Sequence, residues 1–157
     1  MLDKINNWID KILEKHSNER VSCKCFSSQF KGFYPSDFLE KSYFVVVDKI
    51  PKPDFPELRK AGLGDFIDTD FGGVTYKNTY FIKKGQENNL ALHFHELVHV
   101  LQWQNLGSLA FINRYMEEIL KLGYKGAPLE KMAYALEGHF TKRNDPFSIS
   151  NYVQQKI

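Results

Sequence analysis

Apolar residues at the start of the chain recur at helical intervals. Leu2, Ile5, Trp8, Ile9, Ile12 and Leu13 fall on one face and predict an amphipathic helix with one buried side. The pattern then shifts to β-rich runs. Val21 to Phe26 and Ser42 to Val47 read as strands, the second apolar at successive positions and so expected to lie inside a sheet. Pro51, Pro53 and Pro56 break regular structure and predict a surface crossing. Gly72-Gly73 opens a predicted hairpin, with arms Val74 to Tyr76 and Thr79 to Ile82 around Lys77-Asn78 and an end at Gly85.

Beyond Asn88 the period is helical throughout. Asn89 is placed to cap a helix from Leu90 to about Gln104, closed by Gly107. Ser108 is placed to cap a second, whose buried face is Ile112, Tyr115, Met116, Ile119 and Leu120 and which stops at Gly123. Pro128 suits the first position of a third, where its missing N–H costs nothing, with Leu129, Met132, Ala133, Leu136 and Phe140 as the core stripe. An N-terminal helix and small sheet followed by three helices predict an α+β fold, and no repeat or linker divides residues 1–157.

Composition narrows the function classes. Hydrophobic residues make up 43% and charged residues 25% of the 157, as in ordinary globular domains. Lys and Arg exceed Asp and Glu by 21 to 19 with no block of like charges, which argues against a nucleic-acid partner. Apolar runs such as Tyr43 to Val47 fall far short of the ~18–20 residues of a membrane span. The N-terminus lacks the apolar core of a secretory signal, so a cytoplasmic location is expected. Cys23 and Cys25 are too close in sequence to staple the fold and are expected as free thiols.

The chemistry concentrates in His95-Glu96-Leu97-Val98-His99, an H-E-x-x-H sequence inside the first long helix. Residues at i and i+4 share a face, so both imidazoles can reach one metal ion, while Glu96, rotated about 100° from His95, can lean over a metal-bound water as general base. Phe94, Leu97, Val98 and Leu101 would pack the helix into the core, and Trp103 reads as core too. The plain competing reading is two hydrogen-bonded core histidines and an unrelated acid. His93 points elsewhere on the helix, as an exposed residue or one supporting a ligand.

Two histidines leave a catalytic zinc one protein ligand short. Gln102 and Asn105 stand where a metzincin has Gly and His, which excludes that class. The last helix offers Glu130 and Glu137, roughly 10 Å apart along its axis, so only one of them can bind the same ion. Glu130, in the first turn where the helix dipole favours an anion, is preferred. Glu117 and Glu118 read as a solvated face.

His95 to Gln102, followed 31 residues after the second histidine by Pro128-Leu129-Glu130-Lys131-Met132-Ala133, resembles the gluzincin branch of zinc metallopeptidases, in particular its small single-domain bacterial members. The resemblance covers about 45 residues, from Asn89 to Ala133, and implies a zincin-like fold. The family's E-x-x-A pattern maps onto Glu130 and Ala133 and implies one zinc ion per chain held by His95, His99 and Glu130. It further implies peptide-bond hydrolysis by a zinc-activated water, with Glu96 taking the proton and passing it to the leaving amine. Many relatives follow that alanine with an aspartate that orients a ligand histidine, whereas this chain has Tyr134.

Tyr134 and His139, on the same helix as Glu130, are candidate donors to the oxyanion, although each also reads as a packing or surface residue. In zincin-like folds an edge strand beside the active-site helix receives extended substrate, a role that chain order gives to Thr79 to Ile82. The expected partner is therefore a peptide or protein substrate. A metal-binding interaction module without turnover, docking a protein partner, and a zinc hydrolase of a non-peptide amide or ester are the alternatives.

Overall fold

The computed structural model describes residues 1–157. Helix α1 (Leu2–Lys15) precedes a short strand β1 (Val21–Ser22), a single 3₁₀ turn (Cys23–Phe26) and helix α2 (Ser36–Glu40). Strand β2 (Tyr43–Val47) leads into a strap holding short helices α3 (Pro56–Leu58) and α4 (Gly64–Asp68) around a π-turn. The hairpin β3 (Gly73–Tyr76) and β4 (Thr79–Lys83) follows, then α5 (Leu90–Leu106), α6 (Ser108–Gly126), α7 (Pro128–Thr141) and α8 (Ile149–Lys156). The α+β class and N-terminal helix match expectation, but four helices rather than three follow the sheet.

The sheet has the order β1-β2-β4-β3, with β2 and β4 parallel and the outer pairs antiparallel. Alternation along β2 and β4 sends side chains to opposite faces. Phe44, Tyr80 and Ile82 join a core with Phe94 and Leu97 of α5, whereas Val45 and Phe81 join a second core with Ile5 and Ile9 of α1. This topology overturns the edge-strand expectation. Thr79 to Ile82 is interior, paired with β2 on one side and β3 on the other, so the edges belong to β1 and, beside α5, to β3.

Local signals explain most element ends. The Asn89 side chain accepts from the Leu92 N–H, and Gly107, at φ 84°, ends α5 as only glycine does readily. Ser108 makes no capping bond, because Gly107 occupies the cap position of α6. Gly123 (φ 75°) breaks α6, but a final turn continues to Gly126. Val21 to Phe26 is not one strand: the Ser22 hydroxyl accepts from Lys24 N–H and turns the chain into the 3₁₀ turn. Pro56 starts α3 rather than breaking structure.

Helix α5 is buried without interruption from His93 to Trp103, so this stretch has no solvent face. His93, expected exposed or beside a ligand, is instead part of a buried polar chain behind the helix. Its Nε2–H donates to the Glu87 carbonyl (2.8 Å), its Nδ1 accepts from the Tyr80 hydroxyl (2.7 Å), and Cys23 Sγ lies 3.4 Å from that hydroxyl. Burial pushes the Cys23 thiol up to about 12, so it is an inert core group, while Cys25 is exposed; both are free. No helix is long and apolar enough to cross a membrane. Tyr80→Phe strands a buried imidazole nitrogen and should cost about 1–3 kcal/mol of unfolding free energy, read by urea denaturation, with metal uptake unchanged.

Candidate metal centre

Three buried atoms converge between α5 and α7. His95 Nε2 and His99 Nε2 are 3.2 Å apart, and Glu130 Oε1 is 3.1 Å from each. Helical spacing brings the two histidines together, and Glu130 enters from the first turn of α7, whose Leu129 N–H is capped by Glu118 Oε1 (2.8 Å). Glu118, expected on a solvated face, thus fixes the helix that carries the third group.

The outer atoms of the same residues decide what the triangle can hold. His95 Nδ1 lies 3.0 Å from Glu137 Oε1, so it donates. Gln102 gives its amide N–H to the Leu129 carbonyl (3.0 Å), which leaves its oxygen to accept from His99 Nδ1 (2.7 Å). With both Nδ1 atoms carrying hydrogen, each neutral ring turns a lone pair inward through Nε2. The Tyr115 hydroxyl donates to Glu130 Oε2 (2.6 Å) and leaves Oε1 for the triangle. Two nitrogen lone pairs and a carboxylate oxygen in van der Waals contact repel one another unless a cation sits among them.

A divalent ion fits this set. A tetrahedral ion bonded at about 2.0–2.1 Å holds its ligands about 3.3–3.4 Å apart, close to the 3.1–3.2 Å edges here. His95, His99 and Glu130 can therefore hold a metal ion. Glu137 stands on the far side of the His95 ring, as an orienting partner. Together with Gln102 it fills the role for which sequence reasoning sought an aspartate at Tyr134. Glu137 was visible one helical repeat after Glu130, but only the fold shows which nitrogen it meets.

Glu96 sits beside the triangle and outside it. Its Oε1 accepts from the Thr75 hydroxyl (2.8 Å), and its Oε2 lies 3.9 Å from His95 Nε2. Gly73 of β3 allows this closeness, since a Cβ there would stand 3.2 Å from the Glu96 carboxyl carbon. Burial raises the Glu96 pKa, against the pull of the two imidazoles. The Tyr134 ring meets His95 edge to face, with centroids 4.4 Å apart, and its hydroxyl pairs with that of Tyr124 (3.0 Å) beside a small cleft also lined by Glu96. His139 is elsewhere: its ring meets Phe147 edge to face, with Nε2 at the Asp145 carbonyl (3.1 Å). It faces away because α7 has turned by then toward the Phe33 and Phe147 cluster, which removes it as an oxyanion donor. The parts played by Tyr115, Thr75, Gln102 and Tyr124 escaped sequence reasoning, because Thr75 meets Glu96 21 positions away, Tyr115 meets Glu130 15 away and Tyr124 meets Tyr134 10 away, while Gln102, only three from His99, is turned to that ring by its second bond to the Leu129 carbonyl.

No family model, curated protein or solved structure matches this chain.

Burial works against charge on both histidines, yet Glu130 and, for His95, Glu137 outweigh it and raise both pKa values, that of His95 to about 10. Glu130 is likewise disfavoured by burial, but the imidazoles hold it well below the usual carboxylate range. In the metal-free protein the triangle is thus relieved by protons, which an incoming ion must expel. Metal affinity should accordingly rise from pH 6.5 to pH 8.5, with proton release on loading, measured by titration calorimetry in buffers of different ionisation enthalpy. The two glutamates should separate in elemental analysis. Glu130→Ala abolishes stoichiometric metal, whereas Glu137→Ala keeps the stoichiometry and weakens affinity about 10–100-fold.

Proposed function

We propose that this chain is a small zinc-dependent metallopeptidase with a zincin-like arrangement of its active-site helices. The observation that carries the reading is Glu96: a buried carboxylate, aligned by Thr75, with one oxygen turned toward the His95–His99–Glu130 triangle and no place among its ligands. A purely structural metal site has no use for such a group.

Zinc held by these three residues would supply a Lewis acid for the substrate carbonyl and acidify water toward neutrality. Glu96 receives the proton of the attacking water at Oε2, since Oε1 is taken up by the Thr75 hydroxyl. Its raised pKa brings it nearer the working pH, so it can hold that proton and return it to the leaving nitrogen. Glu137 and Gln102 keep both imidazoles in the tautomer that presents Nε2. The Tyr134 hydroxyl, paired with that of Tyr124, is the donor assigned to the developing oxyanion. The free edge of β3, beside Glu96, is where an extended peptide would pair.

A metal-binding module without turnover is the competing reading, favoured by the near-complete burial of all three ligand side chains. Glu96→Gln separates the two. The variant should retain one zinc per chain and lose about 10²–10⁴-fold in kcat on a quenched fluorescent peptide library. Equal turnover by the variant and the parent protein would sink the mechanism.

A further inference from the structure

A cleft starts at Glu96 and His99 and runs along α5 to Trp103. Seven residues of helix separate Glu96 from Trp103, so this wall is about 10 Å long, longer than an apolar amino-acid side chain reaches. Ile9 of α1, Leu63 of the strap, and Phe111 and Met116 of α6 complete it. Sixteen of the twenty-two residues around the cleft are hydrophobic, and the only carboxylates and imidazole among them are Glu96, Glu130 and His99. Charge is therefore confined to the end at the metal triangle. A charged group farther in would be left without a counter-charge.

Two further features mark this cleft. Trp103, 5% exposed, has its indole N–H buried with no acceptor in the protein, although buried donors are nearly always paired. The strap wall is also braced independently of the cleft. Arg59 bridges Asp54 (2.8 Å) and Asp68 (2.7 Å), and the Lys52 ammonium donates to the carbonyls of Phe66 and Thr69. The strap is thus tied into its own shape and does not need to collapse inward to find partners.

We infer that the cleft takes the acyl chain of an N-acylated amine or peptide, with the acyl carbonyl at the metal triangle. Hydrolysis then breaks the acyl C–N bond and forms a C–O bond from water. One water proton passes through Glu96 to the leaving nitrogen, and the products are a carboxylic acid and an amine. The inference rests on the hydrolase reading for the bond cleaved, and on the cleft alone for the chain bound.

The test has a binding arm and a turnover arm, both on the full-length protein. In the first, butanamide, hexanamide, octanamide and decanamide are titrated by calorimetry, with and without added zinc. Affinity should rise about fourfold per methylene until the cleft is full. Met116→Trp, which places an indole in the half-buried wall, should flatten the series while the melting temperature is checked. The parent series stands as a test even where this variant folds poorly. Flat affinity in the parent protein overturns the inference, as does a well-folded Met116→Trp that binds decanamide like the parent. In the second arm, zinc-loaded protein should hydrolyse octanoyl-p-nitroanilide faster than acetyl-p-nitroanilide, with Glu96→Gln inactive on both. Binding that grows with chain length but no turnover of either anilide overturns the substrate assignment through the hydrolase reading alone. Turnover of both anilides at equal rates overturns it through the cleft alone.

Discussion

Three electron-rich atoms meet in the interior of this protein, where water cannot separate them. His95 Nε2, His99 Nε2 and Glu130 Oε1 lie 3.1–3.2 Å apart, and each ring is fixed in orientation by a hydrogen bond on its other nitrogen. Such a cluster is stable only around positive charge, whether protons or a metal ion. Much of the surrounding structure serves that arrangement. Glu137 and Gln102 hold the imidazoles, Tyr115 binds the second oxygen of Glu130, and Glu118 caps the helix that presents Glu130.

The fold delivers this precision by burying α5 on every side from His93 to Trp103. Sheet, α6, α7 and α8 surround it, so its side chains have no solvent-facing alternatives and their rotamers are fixed by packing. The parallel pairing of β2 with β4 forces β3 to the edge, and the glycine at its start lets the strand approach Glu96. Placement of the general-base candidate and exposure of an edge for an extended ligand thus follow from one topological choice. The same choice routes the strap across the second core, where it walls the cleft running away from the triangle.

Much of this was legible in the chain because it is local. The i, i+4 spacing of His95 and His99, the Asn89 cap, Gly107, Pro128 and the turn at Lys77-Asn78 each act within a few residues, and the structure shows each in place. What was not legible is long-range. Whether Thr79 to Ile82 is interior or edge depends on pairing with a strand some 36 residues earlier, which alternation cannot reveal. His93 looked free because its partners, Tyr80 and the Glu87 carbonyl, are set by the fold. His139 shares a helix with Glu130, but nine residues rotate and carry it away from the triangle. Gln102 served only to exclude one ligand pattern, whereas one turn after His99 it aligns that ring.

X-ray absorption at the zinc edge of the loaded protein reads the atoms around the ion directly. The His95–His99–Glu130 site should give a nearest shell of nitrogen and oxygen at about 2.0–2.1 Å, with the outer-shell scattering of two imidazole rings and no sulfur. A sulfur shell at about 2.3 Å, from Cys23 or Cys25, or a shell without imidazole, would place the metal elsewhere and contradict this assignment.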